Sequence, residues 1–401
     1  MSFWALIEGR SRMPVLSANA ERAQNAENRA KLDLGAAFQH LLNPAQKLKA
    51  EASLDLQPLL KLLAQVPMIR GVETVFPQQI QMDTGIDALV WLQLEERRQP
   101  LACELLANGQ PRHVRLAIWE LTNAIRRNCP EAIPLLIAPF FSPASQALCT
   151  EHQIAFFDHQ GNARLVFDGV FIERLAAGRP AAVRRDLKSL FTPKAAQVLR
   201  ILLRDPWRAW RVTELAETAE VSIGQVSNVR RGLLDREWAT VTDEGLILKN
   251  PDAVLDAWSE DYPGLSGKRL NYYTTLHGKG LEDAFLELFS DQRDRPGVLL
   301  ASFTAAKWLA PYGRIATHHL ICQPAQLEHL HQTLALQPAV NGANVVVTLP
   351  AHEGVFLDAV HLSPGIACTS PVQTFLDLSA AGERGKEAAE YLRRKLLKWT
   401  K

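Results

Sequence analysis

The sequence predicts a mixed α/β (α+β) protein of several domains, and three observations carry that expectation. Between residues 51 and 178, short apolar runs alternate with amphipathic helical stretches. From Trp210 to Leu248, two capped helical segments precede a hairpin signature. Residues 265–401 then return to alternating strand and helix patterns. Hydrophobic content of 47% with 22% charged residues suits a water-soluble folded chain rather than a disordered one.

Residues 1–50 read as an N-terminal helical segment that is partly disordered. The stretch 17–31 has few large apolar side chains to bury, and the helical pattern of 32–63 is interrupted at Asn43-Pro44. The second domain, 51–178, carries strand patterns at 78–82, 88–95 and 100–106. An amphipathic helix follows at 114–127, with Ala117, Leu121 and Ile125 on one face. The continuous apolar run 133–138 is the signature of a buried strand. A short helix at 143–151 and strands at 154–158, 164–167 and 170–172 complete the domain, with Gly161-Asn162 as a tight turn. The small-residue and Gly/Pro stretch 176–180 reads as a linker.

The third domain, 183–258, reads as a winged helix-turn-helix. Its first helix is expected at 193–204. Thr213 is the expected N-cap of the next helix, whose apolar side is Val212, Leu215, Ala216 and Ala219. Ser222 caps the helix after that, and Gln225 three residues on makes a capping box. Val226, Val229, Leu233 and Leu234 share its buried face, which leaves Gln225, Ser227, Asn228, Arg230 and Arg231 outward. Amide, hydroxyl and guanidinium groups are the side chains that hydrogen-bond base edges and phosphates from a helix in the major groove. Strands at 239–242 and 246–248 flank Asp243-Glu244-Gly245, the tip of the expected wing.

Charge distribution points the same way. The whole chain has a formal net charge of +1, yet residues 179–237 hold twelve Lys/Arg against seven Asp/Glu. Arg200, Arg204, Arg208 and Arg211 lead into the outward helix, so a basic patch for phosphate contacts is expected. The expected partner is double-stranded DNA, with Ser222, Gln225, Ser227, Asn228, Arg230, Arg231 and Arg211 as the contacting set. A palindromic site would require a homodimer.

The last domain, 265–401, carries strand patterns at 270–275, 298–302, 318–322, 344–349 and 360–362. Helices are expected at 281–289, 305–309 and 324–334, and a helical hairpin at 371–378 and 386–397 joined through 381–385. No P-loop, GxSxG or dinucleotide fingerprint is present. Five widely spaced cysteines without a CxxC pair argue for reduced thiols and against a zinc site. With no apolar run of membrane-spanning length or signal-peptide core, the expectation is a cytoplasmic protein without membrane contact.

One constellation suggests catalysis instead. Asp87 opens one strand and Glu104 lies on the next. The layout of residues 51–178 resembles the PD-(D/E)XK nuclease fold, in which two carboxylates hold a divalent metal and a lysine two residues beyond the second assists the attacking water. Here Leu106 stands in the lysine position, and a leucine neither activates water nor stabilises negative charge. The domain therefore reads as an inactive nuclease-like scaffold, with Asp87 and Glu104 as remnants. A metal-dependent DNA nuclease is the alternative function, and the leading expectation is a non-enzymatic protein with neither metal nor cofactor.

The segments LACELLANGQPR, FFDHQGNARLVFDGVFI, VTELAETAEVSIGQVSNVRRGL and SPVQTFLDLSAAGERGKEAAEYLRRKLL together resemble the AbiEi-type antitoxin and regulator family of type IV toxin–antitoxin systems. The resemblance spans about residues 55–401. It implies a bacterial transcription regulator that binds operator DNA through its winged helix, represses its own operon, and opposes a cognate toxin protein through the C-terminal domain. Antitoxins of that family usually begin with the winged helix, whereas here it is central.

Overall fold

A computed structural model describes residues 56–76, 85–167, 169–176, 187–290, 296–313, 316–362 and 365–399. It is a mixed α/β structure that divides into two compact units, Met1–Pro180 and Ala181–Lys401. The expectations for residues 1–55 and for a strand at 78–82 lie outside the described residues.

In the first unit, helix α1 (Gln57–Leu63) precedes strands β1 (Gly71–Val75), β2 (Ala88–Gln93) and β3 (Arg98–Leu105). Helix α2 (Pro111–Asn128), strand β4 (Ile133–Ala138), helix α3 (Pro143–Glu151) and strands β5 (Ala155–Asp158), β6 (Ala163–Phe167) and β7 (Val170–Arg174) follow. The seven strands lie side by side in chain order. Pairing is parallel only for β3–β4 and β4–β5, where α2 and α3 provide the crossovers, and antiparallel elsewhere. Side chains alternate between the two faces of the sheet. Val90, Leu101, Leu135 and Phe157 pack with α1 residues Leu59 and Leu63. Leu89, Ala102, Leu136 and Phe156 pack with Val114, Leu121 and Ile125 of α2. Both faces are covered, which explains why β2 and β4 read as continuous apolar runs rather than alternating ones.

The second unit begins with helices α4 (Pro193–Arg204), α5 (Val212–Thr218) and α6 (Ile223–Asp235), the hairpin β8 (Ala239–Val241) and β9 (Leu246–Leu248), and helix α7 (Pro251–Glu260). This is the element order of a winged helix-turn-helix. The rest comprises β10 (Gly267–Tyr273), α8 (Gly278–Phe289), β11 (Val298–Leu300), α9 (Ser302–Leu309), β12 (His318–Cys322) and α10 (Leu327–Thr333). It ends with β13 (Gln337–Pro338), β14 (Val345–Pro350), β15 (Val360–Leu362), β16 (Ile366–Cys368), α11 (Pro371–Ser379) and α12 (Gly382–Leu396). Its second seven-stranded sheet runs β13-β10-β14-β12-β11-β16-β15.

Beyond residue 265 the unit has a core of its own, in which Leu281, Phe285, Val298, Leu320, Val345 and Ile366 pack around the second sheet, but the last two helices join the preceding core instead. Val198, Leu199, Leu215, Val229, Leu233 and Trp258 of the three-helix region share one hydrophobic cluster with Phe375, Leu376, Leu378, Ala389 and Leu392 of α11 and α12. The joint expected at 381–385 is also shorter than expected, because α12 already starts at Gly382. Gly385 acts there as a contact residue: a Cβ at that position would lie 2.2 Å from the Leu378 carbonyl oxygen of α11.

Candidate nucleic-acid interface

The geometry of α5 and α6 follows from their caps and apolar spacing. Helix α5 starts two residues earlier than expected, with Arg211 rather than Thr213 at the N-cap position and no side-chain cap bond. The Ser222 hydroxyl accepts from the Gln225 backbone N–H at 3.2 Å and so caps α6. The expected capping box is half formed, since the Gln225 side chain makes no return bond among the described residues. Val226, Val229 and Leu233 are buried and fix the rotation of α6 on its core.

That rotation leaves the expected contact set on the outside. Asn228, Arg231, Ser222 and Arg211 are exposed, and Gln225, Ser227 and Arg230 are half-buried. Among the described residues, the guanidinium groups of Arg211, Arg230 and Arg231 make no ion pair. Ile223, 55% exposed at the first turn of α6, belongs to the same surface and was missed by a search for polar side chains. An apolar side chain there can meet a thymine methyl group. Beside it, a groove lined by Lys194, Thr213, Glu217, Ser222, Ile223 and Gln225 runs along the α5–α6 turn. The acidic Glu217 places negative charge at that end, so the cationic part of the surface is the second half of α6.

The β8–β9 hairpin, the expected wing, is anchored to Trp210, which exchanges two backbone hydrogen bonds of 2.9 Å with Leu246. Gly245 at the hairpin has φ +148°, and a Cβ there would sit 2.5 Å from the Trp210 carbonyl oxygen. Glycine is therefore required by close backbone approach as well as by the turn.

Among the described residues, part of the expected basic patch is taken up in internal contacts. Arg200 is buried, Arg204 pairs with Asp358 at 3.2 Å, and Arg208 pairs with Glu214 while lying 4.0 Å from the centre of the Trp210 ring. Arg200 is withdrawn from the surface, and the exposed Arg204 and Arg208 have their charge balanced by a carboxylate. Among the described residues ahead of α6, the exposed cations outside an ion pair are Lys188, Lys194 and Arg211, and Arg179, Arg184 and Arg185 lie outside the described residues.

In the first unit, Asp87 and Asp158 each hold backbone amides. The Asp87 carboxylate accepts from the Leu105 backbone N–H at 2.9 Å, tying the start of β2 to the end of β3. Glu104 lies on β3 and is half-buried. Leu106, in the lysine position of the nuclease pattern, packs against the cluster between the sheet and α2. Asp158, at the end of β5, is fully buried. It accepts from the backbone N–H groups of Phe141, Gln160 and Asn162 and from the Asn162 side chain, all at 2.8–3.0 Å. Those four donors occupy the carboxylate, and the Gly161-Asn162 turn is built around it.

Among the described residues, no group of three or more His, Cys, Asp or Glu side chains is placed to hold a metal ion. All five cysteines are buried. Burial pushes the thiols of Cys149, Cys322 and Cys368 up to about 12 and that of Cys129 to about 11, which removes them as nucleophiles near neutral pH. Burial also lowers the pKa values of His318 and His319, favouring neutral rings. Among the described residues, no helix is long and apolar enough to cross a membrane. Compared with protein-family models, curated proteins and solved structures, the chain matches none.

Proposed function

We propose that the protein is a DNA-binding transcription regulator whose reading helix is α6. The observation that supports this best is the outward side of α6, where the half-buried Gln225 and Ser227 and the exposed Asn228 lie beside Arg230 and Arg231, two cations without an ion pair among the described residues. The amides and the hydroxyl read base edges, and the arginines meet guanine or phosphate. Arg211, at the N-terminus of α5, meets flanking phosphate, and the wing around Gly245 approaches the neighbouring backbone. The narrower reading, an antitoxin that represses its own operon and opposes a cognate toxin, rests on the resemblance of the quoted segments. A hydrolytic role for Asp87 and Glu104 has less support, because Asp87 already holds a backbone amide and Leu106 supplies no charge.

Fluorescence anisotropy tests the reading, with the duplex upstream of the protein's own gene, chelator present and salt varied. Specific binding over a scrambled duplex is expected. Each lost phosphate contact reduces the salt slope by about 0.9, so Arg230→Ala/Arg231→Ala should flatten it by one to two such steps as affinity falls. Equal affinity for the scrambled duplex, or an unaltered slope in the double variant, would refute the assignment of α6.

A further inference from the structure

The first turn of α6 holds two neighbouring residues that the packing of the unit does not account for. Ile223 is a large β-branched side chain left 55% exposed. It has no place in the hydrophobic cluster that Val226, Val229 and Leu233 join. Gly224 lies inside the helix and lacks the positive φ that requires a glycine elsewhere in the chain. A Cβ at Gly224 would meet nothing closer than the Ser222 hydroxyl oxygen at 3.9 Å. In the same helix, a Cβ at Gly232 would crowd Leu190 Cδ1 at 3.1 Å, so packing accounts for that glycine. Glycine within a helix is less stable than alanine, and at Gly224 no close contact among the described residues offsets the loss.

Helical spacing sets both residues in line with the polar side chains of the outward side. Gly224, Asn228 and Arg231 follow one another at i, i+4 and i+7, and Ile223, Ser227 and Arg230 form the adjacent row. Each row ends in an arginine and begins without a polar side chain. The groove beside the first turn has a net acidic lining, with Glu217 and Glu220 against Lys194. That charge disfavours phosphate, so a base edge is the part of a duplex that suits this end of α6. In the major groove, thymine is the base that presents an apolar substituent, its C5 methyl.

We propose that the first turn of α6 reads a thymine. Ile223 packs on the C5 methyl, and the missing side chain at Gly224 lets the helix seat closely enough to reach it. The inference rests on α6 being the reading helix and adds a required base to that reading. An α-helix with its side chains is about 10–12 Å across and the major groove about 12 Å wide. One side chain on the leading row therefore sets the depth of entry.

The test is fluorescence anisotropy of the full chain on the duplex upstream of its own gene, with each thymine replaced in turn by uracil. That exchange keeps the base pair and removes only the methyl. At least one replacement is expected to weaken binding by about three- to fivefold, the worth of one buried methyl group. Ile223→Ala should bind the thymine duplex at least that much more weakly and no longer distinguish uracil at that position. Its Tm should stay at the wild-type value, because Ile223 is outside the core. Gly224→Ala should hold or raise Tm, since the added methyl group meets open space, yet lose roughly tenfold in affinity through overpacking against the duplex. A protein no less stable that binds worse separates a contact role from a folding role. The inference alone is overturned if no uracil has an effect, if uracil sensitivity survives Ile223→Ala, or if Gly224→Ala binds as tightly as wild type. Equal wild-type affinity for a scrambled duplex refutes the reading of α6 itself, and the inference falls with it.

Discussion

Single side chains in this protein show how burial decides what a charge does. Asp377 is an example with a measurable consequence. Its carboxyl accepts from Tyr262 and Gln373, but burial dominates and pushes its pKa from 3.8 up to about 6. The folded chain therefore keeps that proton to higher pH than the unfolded chain does. Between about pH 4 and pH 6, the folded state binds more protons, so this group's contribution to stability falls as pH rises. Below that window there is no penalty, and above it the penalty is complete. Asp377→Asn retains an acceptor oxygen for Tyr262 and Gln373 without the charge. Its unfolding free energy in urea, relative to wild type, is expected to rise through the window and level off above it, by on the order of 1–3 kcal/mol. A constant difference from pH 4 to pH 8 would show that the carboxyl titrates as an ordinary exposed acid.

At the scale of elements, what was legible in the sequence was whatever local pattern dictates. The apolar run 133–138 is β4 to the residue, because a strand covered on both faces has no polar positions to blur its ends. Ser222 was readable as the cap of α6, since a hydroxyl followed by a buried helical stripe is a local signal. What escaped depended on partners distant in sequence. The cations at Arg200, Arg204 and Arg208 look alike in a string of letters, yet one is buried and two are paired. Strand β1 was missed because its residues are only partly buried and its partner, β2, supplies the pairing. Gly385 was read as part of a joint, whereas it sits inside α12 at a close approach to α11. These two readings of Gly385 give opposite signs for Gly385→Ala. In an isolated helix the change gains about 1 kcal/mol from propensity. Here the new methyl group would meet the Leu378 carbonyl oxygen at 2.2 Å, a backbone atom that cannot rotate away. Overpacking costs about 1–3 kcal/mol, so a net loss of stability is expected in chemical denaturation, and a gain would place the glycine back in a flexible joint.

For the whole molecule, the shared core of the second unit sets what can fold alone. Winged helices are easily imagined as detachable heads, and residues 183–258 read that way in the sequence. In the structure, the side of α4 and α7 away from the wing rests on α11 and α12, with Val372, Phe375, Leu376, Leu378, Ala389 and Leu392 completing the cluster. Polar ties reinforce the joint: Arg393 of α12 donates to Asp252 at 2.7 Å and to Asp256 at 2.5 Å, both on α7. Burying one large apolar side chain is worth about 1.5–3 kcal/mol, so removing four or more such partners takes away a sum comparable with the roughly 5–15 kcal/mol that holds a domain folded. A fragment of residues 187–262 is therefore expected to lack a cooperative thermal transition and to bind an apolar dye, while residues 187–399 unfold in one step. The comparison also bears on DNA binding, because α6 keeps its outward set only if Val226, Val229 and Leu233 have a core to rest on. A short fragment that melts cooperatively and binds the upstream duplex as tightly as the full chain would show that the three-helix core is self-sufficient and that α11 and α12 are an accessory cover.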